Sequence, residues 1–247
     1  MARYDTGGEG MTFSMIHLEV SKRSLVFWAR QSKFSLADRD YLIHAAMRLS
    51  FGSKAPQPFE VFDNGGKTLK VLGYADCPGA KLVEEMGLAA EPMLHEVIPP
   101  NAVRSKDMPS SWPEGKSFGF RVRFCPISRR SGEGDKIVER DAFLAACERT
   151  PDDHVDREMV YAEWLAERFK AFDGAQILDM RMKSFRLKEF CRKDKGRSLR
   201  KLTRPETIFD GVLIVTNSST FSLMLREGVG RHKAFGFGAI LLRTEGC

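Results

Sequence analysis

Apolar and polar residues partly alternate through MIHLEVS (15–21), which predicts a strand with one buried face. The period then lengthens. In LADRDYLIHAAMRLSF (36–51), Leu42, Ile43, Ala46, Met47 and Leu49 fall on one arc of a helix. Tyr41, His44 and Arg48 fall opposite, three and four residues apart, as one exposed stripe. Ser35 or Asp38 suits the start of this helix and Gly52 its end. Two strand runs within FEVFDNGGKTLKVLGYAD (59–76) flank Asn64-Gly65-Gly66, the composition of a tight hairpin turn. AKLVEEMGLA (80–89) predicts a short helix, and MLHEVIPP (93–100) a strand stopped by prolines. The predicted order is β-α-β-β-α-β, the ferredoxin-like unit shared with RNA-recognition motifs.

The order then repeats. SFGFRVRFCPI (117–127) predicts a strand with Phe118, Phe120, Val122 and Phe124 on one face and Arg121 and Arg123 on the other. KSFGFRVRF resembles the RNA-binding octapeptide of such motifs only in part, with a different spacing and strand position, so its phenylalanines are assigned to a core. SRRSGEGDK (128–136) predicts a charged loop and MVYAEWLAERFKAF (159–172) a helix. AQILDMRMKSFRLKEF (175–190) predicts a long strand paired with FDGVLIVT (209–216), the basic stretch between them forming the far end of the hairpin. A helix at 219–227 and a strand at 239–242 close the second unit. The expected fold is therefore α+β, with two ferredoxin-like domains in tandem. Residues 1–14 form a flexible tail, 15–101 the first domain, 102–116 a Pro- and Ser-containing linker and 117–247 the second domain.

Between the last helix and strand lies GVGRHKAFGFG, with Gly228, Gly230, Gly236 and Gly238 around Arg231, His232 and Lys233. Glycine lets a backbone pass close to another chain, and the flanking donors suit a phosphate-bearing partner. The order helix, loop, strand is opposite to that of dinucleotide-binding and P-loop motifs. A helix C-cap followed by a tight connection is the plain alternative.

Charge sharpens this picture. Residues 181–204 hold Arg181, Lys183, Arg186, Lys188, Arg192, Lys193, Lys195, Arg197, Arg200, Lys201 and Arg204 against only Glu189 and Asp194, a net charge of +9. The whole chain carries +6, so everything else is net −3 and the excess is one local patch. Such a patch is how an electrostatic footprint for nucleic acid looks in sequence. The 247 residues include no apolar run of membrane-spanning length, and the first residues lack the apolar core of a signal peptide, so a cytoplasmic protein is expected. Five scattered cysteines without a C-x-x-C pair argue for reduced thiols and against a zinc site. His17 and His95 lie in or near predicted strands, His154 lies among acids in a loop, His232 in the glycine loop suits phosphate contact, and His44 reads from its helix stripe as a surface histidine.

The glycine pattern with its apolar strand, and the approach FDGVLIVTNSSTFSLMLREG, resemble the CRISPR repeat-processing endoribonucleases of the CasE subfamily. Tyr41-Leu-Ile-His44, leading to Phe51, is similar to that subfamily's Y-x-x-H pattern, although Gly52 stands where proline is common. The resemblance implies that His44 is the catalytic histidine and Tyr41 its partner. It also implies that the basic segment and glycine loop bind a CRISPR repeat RNA stem-loop, and that the crRNA product stays with a Cascade-type complex. In RNA the 2′-hydroxyl supplies the nucleophile, so cleavage needs proton transfer and charge stabilisation but no metal or cofactor. Imidazole suits the transfer as acid or as base, and a phenol near pKa 10 suits hydrogen-bond donation. The expected products are a 2′,3′-cyclic phosphate and a 5′-hydroxyl. A non-catalytic RNA-binding subunit of a ribonucleoprotein complex is the alternative.

Overall fold

The structure, a computed structural model, describes residues 13–131, 137–151, 154–193 and 199–243. In the first half, β1 (Ser14–Ser21), β2 (Phe59–Phe62), β3 (Thr68–Ala75) and β4 (Val103–Asp107) form an antiparallel sheet in the order β2-β3-β1-β4. β1 is therefore central, and its alternating residues Ile16, Leu18 and Val20 are fully buried. Two helices fill the first crossover, α1 (Lys22–Gln31) and α2 (Arg39–Phe51). α1 has no counterpart in the sequence reading, because its apolar run LVFWA is continuous rather than periodic. Leu25, Trp28 and Ala29 are buried while Val26 and Phe27 are exposed. Ser21 caps α1 by accepting from the Ser24 amide.

The second crossover corrects the expectation for residues 93–100. After α3 (Gly79–Ala89) comes not a strand but a short helix, α4 (Pro92–Val97). Pro92 sits in its first turn, where the missing N–H costs nothing, and Leu94 and Val97, three apart, turn to the core. The fourth strand lies instead at β4, inside the segment expected to be a linker, and pairs with β1 from Ser14↔Asp107 to Leu18↔Val103. β4 reads VRSKD and is mostly exposed, so an edge strand of this kind carries no apolar alternation. The tail expected over 1–14 lies outside the described residues up to 12, while Phe13 is buried and Ser14 opens β1.

The second half repeats the topology. β5 (Ser117–Phe124), β8 (Ala175–Lys193), β9 (Leu199–Val215) and β10 (Ile240–Arg243) form a sheet in the order β10-β5-β9-β8. α5 (Ala142–Arg149) and α6 (Arg157–Phe172) precede β8, and α7 (Ser218–Glu227) follows β9. Both sheets thus read 4-1-3-2 in their own strand numbering, as two ferredoxin-like units should. The loop expected at 128–136 is corrected at its start, where 128–131 belong to β6 (Ile127–Ser131), which pairs with β7 (Ile137–Asp141) as an inserted hairpin, and its residues 132–136 lie outside the described residues. Arg123, on the face of β5 opposite the phenylalanines as expected, is buried at 4% exposure because the first half covers that face.

Each half has its own apolar cluster, one around Trp28, Ile43, Met47 and Leu82, the other around Phe124, Trp164, Phe169 and Phe209. Phe13 and Tyr74 come from the first half but pack into the second cluster. The Tyr74 hydroxyl, fully buried, donates to the Ile240 carbonyl of β10 at 2.7 Å. Among the described residues no helix is long and apolar enough to cross a membrane.

Tyr74→Phe keeps the ring and removes only this bond between the halves, stranding a buried carbonyl. We expect a loss of about 1–3 kcal/mol in urea unfolding, without a change in m-value. Equal midpoints for the two proteins would show that the bond has no net weight.

Candidate functional site

α2 begins at Asp38, whose carboxylate accepts from the Tyr41 amide at 3.2 Å, and ends at Gly52, which has φ +58°. Its apolar arc buries Leu42, Ile43, Ala46 and Met47, as periodicity predicts, although Leu49 is exposed. The opposite stripe is partly covered. The short helical turn Lys233–Phe235 from the glycine segment lies against it, and the Phe235 ring stacks on Tyr41 at 5.4 Å. His44 is half-buried, parallel to the Phe59 ring of β2 at 6.2 Å and 6.3 Å from the Tyr41 ring. Its Nδ1 is buried without a hydrogen-bond partner among the described residues. Burial, and then the positive charge of Arg48 one turn away, lower its pKa, so the imidazole is neutral at pH 7.

The glycine segment runs helix, loop, strand as read, and all four glycines have positive φ. Their immediate neighbours are protein atoms. A Cβ at Gly238 would strike the Val229 carbonyl oxygen, and one at Gly236 would sit 3.0 Å from Arg123 Nη1. Gly238 donates to the Arg123 carbonyl at 2.8 Å and Val229 to the Gly238 carbonyl at 2.9 Å, which folds the segment back on β5. Close approach of backbone to protein accounts for these glycines.

A buried ion network ties this segment to α2. Arg123 reaches Asp40 at 2.8 Å, Glu206 at 2.5 Å and the Gly236 carbonyl at 3.2 Å, and its guanidinium lies over the Phe237 ring. Lys188 of β8 adds a second contact to Asp40 at 2.8 Å, and Arg186 adds one to Glu206 at 2.6 Å. Burial alone would raise the Asp40 pKa, but Arg123 and then Lys188 outweigh it and bring it to about 2.

The basic residues singled out from the sequence divide accordingly. Lys188 is turned onto Asp40 and Asp38 and is only 15% exposed. Arg204, Arg231 and His232 gather on Glu139 of the inserted hairpin at 3.6, 3.1 and 3.1 Å. Lys201 pairs with Glu189 at 3.6 Å, both exposed. Arg181, Lys183 and Arg186 are exposed along β8. Arg192, Lys193 and Arg200 are described only as strand positions, and Lys195 and Arg197 lie outside the described residues. Sequence reasoning missed Asp40, Arg123, Glu206, Phe59 and Phe235. Only Phe235, next to Gly236 in the quoted pattern, carried a usable signal.

Known proteins place this arrangement in context. The family description "CRISPR associated protein" matches residues 13–244, nearly the whole chain. No curated protein matches it in sequence. Among solved structures, CRISPR endoribonuclease Cse3 bound to a 19-nt RNA is similar with TM-score 0.63 and 17% identity, covering 94% of this chain and 99% of that one. The CRISPR-associated protein Cas6e from Escherichia coli K-12 has TM-score 0.59 and 17% identity, over 95% and 100% of the two chains. A chain of a CRISPR RNA-guided surveillance complex has TM-score 0.57 and 13% identity, over 93% and 99%. At these identities the likeness is one of fold.

The network makes stability depend on acid. Asp40 is depressed from 3.8 to about 2, so its stabilisation is complete above the ordinary carboxylate range and is lost as pH falls through about 4 to 2. The shift corresponds to about 2 kcal/mol. In urea unfolding between pH 7 and 2.5, Asp40→Asn should be less stable at pH 7 and lack this part of the acid dependence. Superimposable pH curves for the two proteins would remove Asp40 from the network's energetics.

Proposed function

Because this chain belongs to the family of CRISPR associated proteins, we propose that it is an endoribonuclease that cuts CRISPR repeat RNA at a stem-loop to release crRNA. The observation that carries this reading is His44 itself. A neutral, half-buried imidazole sits where α2 of one half meets the glycine segment of the other, in the Y-x-x-H pattern of repeat-processing enzymes.

The RNA supplies its own nucleophile. The 2′-oxygen bonds to phosphorus, the bond from phosphorus to the 5′-oxygen breaks, the 2′-proton leaves and the departing 5′-oxygen takes one up. The products are a 2′,3′-cyclic phosphate and a 5′-hydroxyl. Because Nδ1 is buried, we assign the His44 proton transfer to Nε2. Tyr41, held against Phe235, donates a hydrogen bond to the phosphate. No step calls for a metal. The first ferredoxin-like unit contributes the catalytic helix, and the second the RNA surface along β8 and β9, with Arg231, His232 and Lys233 beside it. Arg204, Arg231 and His232 are drawn together by Glu139, and the four glycines serve by shaping the segment. A-form RNA exposes shape and phosphate more than base edges, which suits an exposed basic strand pair. The similar chain within a CRISPR RNA-guided surveillance complex supports a Cascade-type assembly as the partner.

Incubation of the protein with labelled repeat RNA in EDTA should give cleavage, and His44→Ala should slow it by about 10²–10⁴-fold with affinity within a few-fold. Binding without cleavage by the wild-type protein would favour the non-catalytic RNA-binding subunit.

Affinity should fall steeply with salt as bound counterions are released. Arg181→Ala with Lys183→Ala should weaken binding and reduce the slope of log K against log salt by up to about 0.9 per lost phosphate contact, with stability unchanged. Parallel salt plots at equal affinity would place the RNA elsewhere.

A further inference from the structure

An acid stands inside the basic surface assigned to RNA. The side chain of Glu139, on β7, is only 12% exposed and collects three donors from two other segments. Arg204 comes from β9, and Arg231 and His232 from the glycine segment. A carboxylate in this place repels phosphate, so it opposes RNA binding unless it serves the donors around it. Burial alone would raise its pKa, but His232, Arg231 and Arg204 outweigh that and lower it, so Glu139 is ionised at pH 7. The His232 imidazole is neutral there, because burial lowers its pKa more than Glu139 raises it. A carboxylate only accepts, so Nε2 of His232 carries the proton and donates to Glu139 at 3.1 Å.

The carboxylate is held from behind. β6 and β7 pair only with each other, but the base of their hairpin is tied to the second half. The Ile127 carbonyl accepts from the Trp164 indole at 3.1 Å. Asp141, two residues beyond Glu139, caps α5 and accepts from the Tyr161 hydroxyl at 2.9 Å. In front, Arg231 is gripped at one point. Its Nε donates to Glu139 at 3.1 Å, neither Nη atom has a hydrogen-bond partner among the described residues, and 48% of the side chain is exposed. The backbone beside it is fixed as well. His232 has φ +63°, and its ring stacks on Phe190 at 5.9 Å. A guanidinium held by Nε presents its terminal fork in one direction, as bidentate recognition of a phosphate requires.

We propose that Glu139 is a positioning residue for RNA, holding Arg231 by its Nε so that the outer fork meets a backbone phosphate of the stem-loop. The assignment rests on the nuclease reading and adds to it a residue that acts on RNA only through another. The negative charge serves to orient. A free arginine gives up its rotamer freedom when RNA arrives, whereas one held by Glu139 has given it up in the folded protein. Arg204 answers the same carboxylate from β9, so the hairpin also spaces the basic strand pair from the glycine segment.

The sign of one substitution tests this. Glu139→Gln removes a negative charge from a basic surface, so Coulomb attraction alone makes repeat RNA bind tighter. Positioning requires the reverse. Kd should rise about 3–10-fold, and the slope of log K against log salt should fall by up to about 0.9, one phosphate contact. Glu148→Gln, on α5, removes an equal charge from a pair with Arg140 and should not weaken binding. In an Arg231→Ala background Glu139→Gln should no longer weaken binding, since the residue it acts through is gone. Thermal melting checks that each variant is folded. If Glu139→Gln does not fold, Arg231→Lys decides: the charge stays and the Nε contact goes, so Kd should rise by a similar factor. Equal or tighter binding by Glu139→Gln, or by Arg231→Lys in its place, would overturn the proposal. So would a matching loss in Glu148→Gln, or an undiminished effect in the Arg231→Ala background. Failure of the wild-type protein to bind repeat RNA would defeat the nuclease reading, and the positioning with it.

Discussion

Arg123 lies one residue from the end of β5, 4% exposed, and touches three parts of the chain that are far apart in sequence: Asp40 on α2, Glu206 on β9 and the Gly236 carbonyl. Removing a guanidinium from water is costly, and only this full set of partners, with the Phe237 ring beneath it, offsets the cost. Buried ion pairs of this kind are poor evidence for stability, since apolar replacements often do as well. Their better-attested use is to fix register. Here an arginine that satisfies all its partners fits one placement of α2 against the second sheet. Arg121 repeats the device one pleat away, reaching Glu60 of β2 at 3.1 Å and Asp210 at 3.6 Å. The position of the imidazole relative to the glycine segment follows from these contacts rather than from any side chain that would touch a substrate.

The same network redraws the charge map. The local tally of +9 treats residues 181–204 as uncompensated, but acids from elsewhere answer part of it: Asp40 and Asp38 hold Lys188, Glu206 holds Arg186, and Glu139 holds Arg204. All of those acids lie outside the counted segment. The remaining field is concentrated along the exposed side of β8, where Coulomb attraction is weak at contact and strong in steering, and falls off with salt. A basic strand can thus serve structure with one residue and an approaching polyanion with the next, because successive side chains of a strand lie on opposite faces.

What was legible in the sequence followed from periodicity. β1, α2, the Asn64-Gly65-Gly66 hairpin, β5, α6 and α7 stand close to their expected places because each carries its own apolar rhythm and stop signals. β4 did not, since an edge strand of VRSKD buries almost nothing, and α4 resembled a strand because six residues are too few to show a helical period. The site was legible to the same degree. His44 and Tyr41 could be picked from spacing and resemblance, and the structure brings them beside the glycine segment. The half-burial of His44 under the Phe59 ring and the stacking of Phe235 on Tyr41 could not be foreseen, because both depend on tertiary contacts, the second with a residue nearly two hundred positions away. Arg123 illustrates the limit: alternation assigned it to the face opposite the phenylalanines of β5, and nothing local says that the first half covers that face.

The two halves share a topology yet divide the labour, and strand length explains how. In the first half, β2 and β3 have four and eight residues, enough to carry a helix and close a core. In the second, β8 and β9 run to nineteen and seventeen. β5 pairs with β9 only from Thr207 to Ile214, so Leu199–Glu206 has β8 as its one neighbour. Beyond the third strand the hairpin is a two-stranded ribbon, and seven of the sixteen residues in 186–193 and 199–206 are Lys or Arg. A ribbon that continues two strands of a packed sheet is anchored at its base, and Phe190 within it packs with Ile127 and Phe237, so its basic positions are carried on a fixed strand pair, a form that suits a phosphate backbone. The base of that ribbon is where Lys188 and Glu206 join the Arg123 network. The segment that would hold RNA and the helix that would cut it are thereby fixed to the same buried charges, so distance from phosphate contact to imidazole is set by the protein's interior.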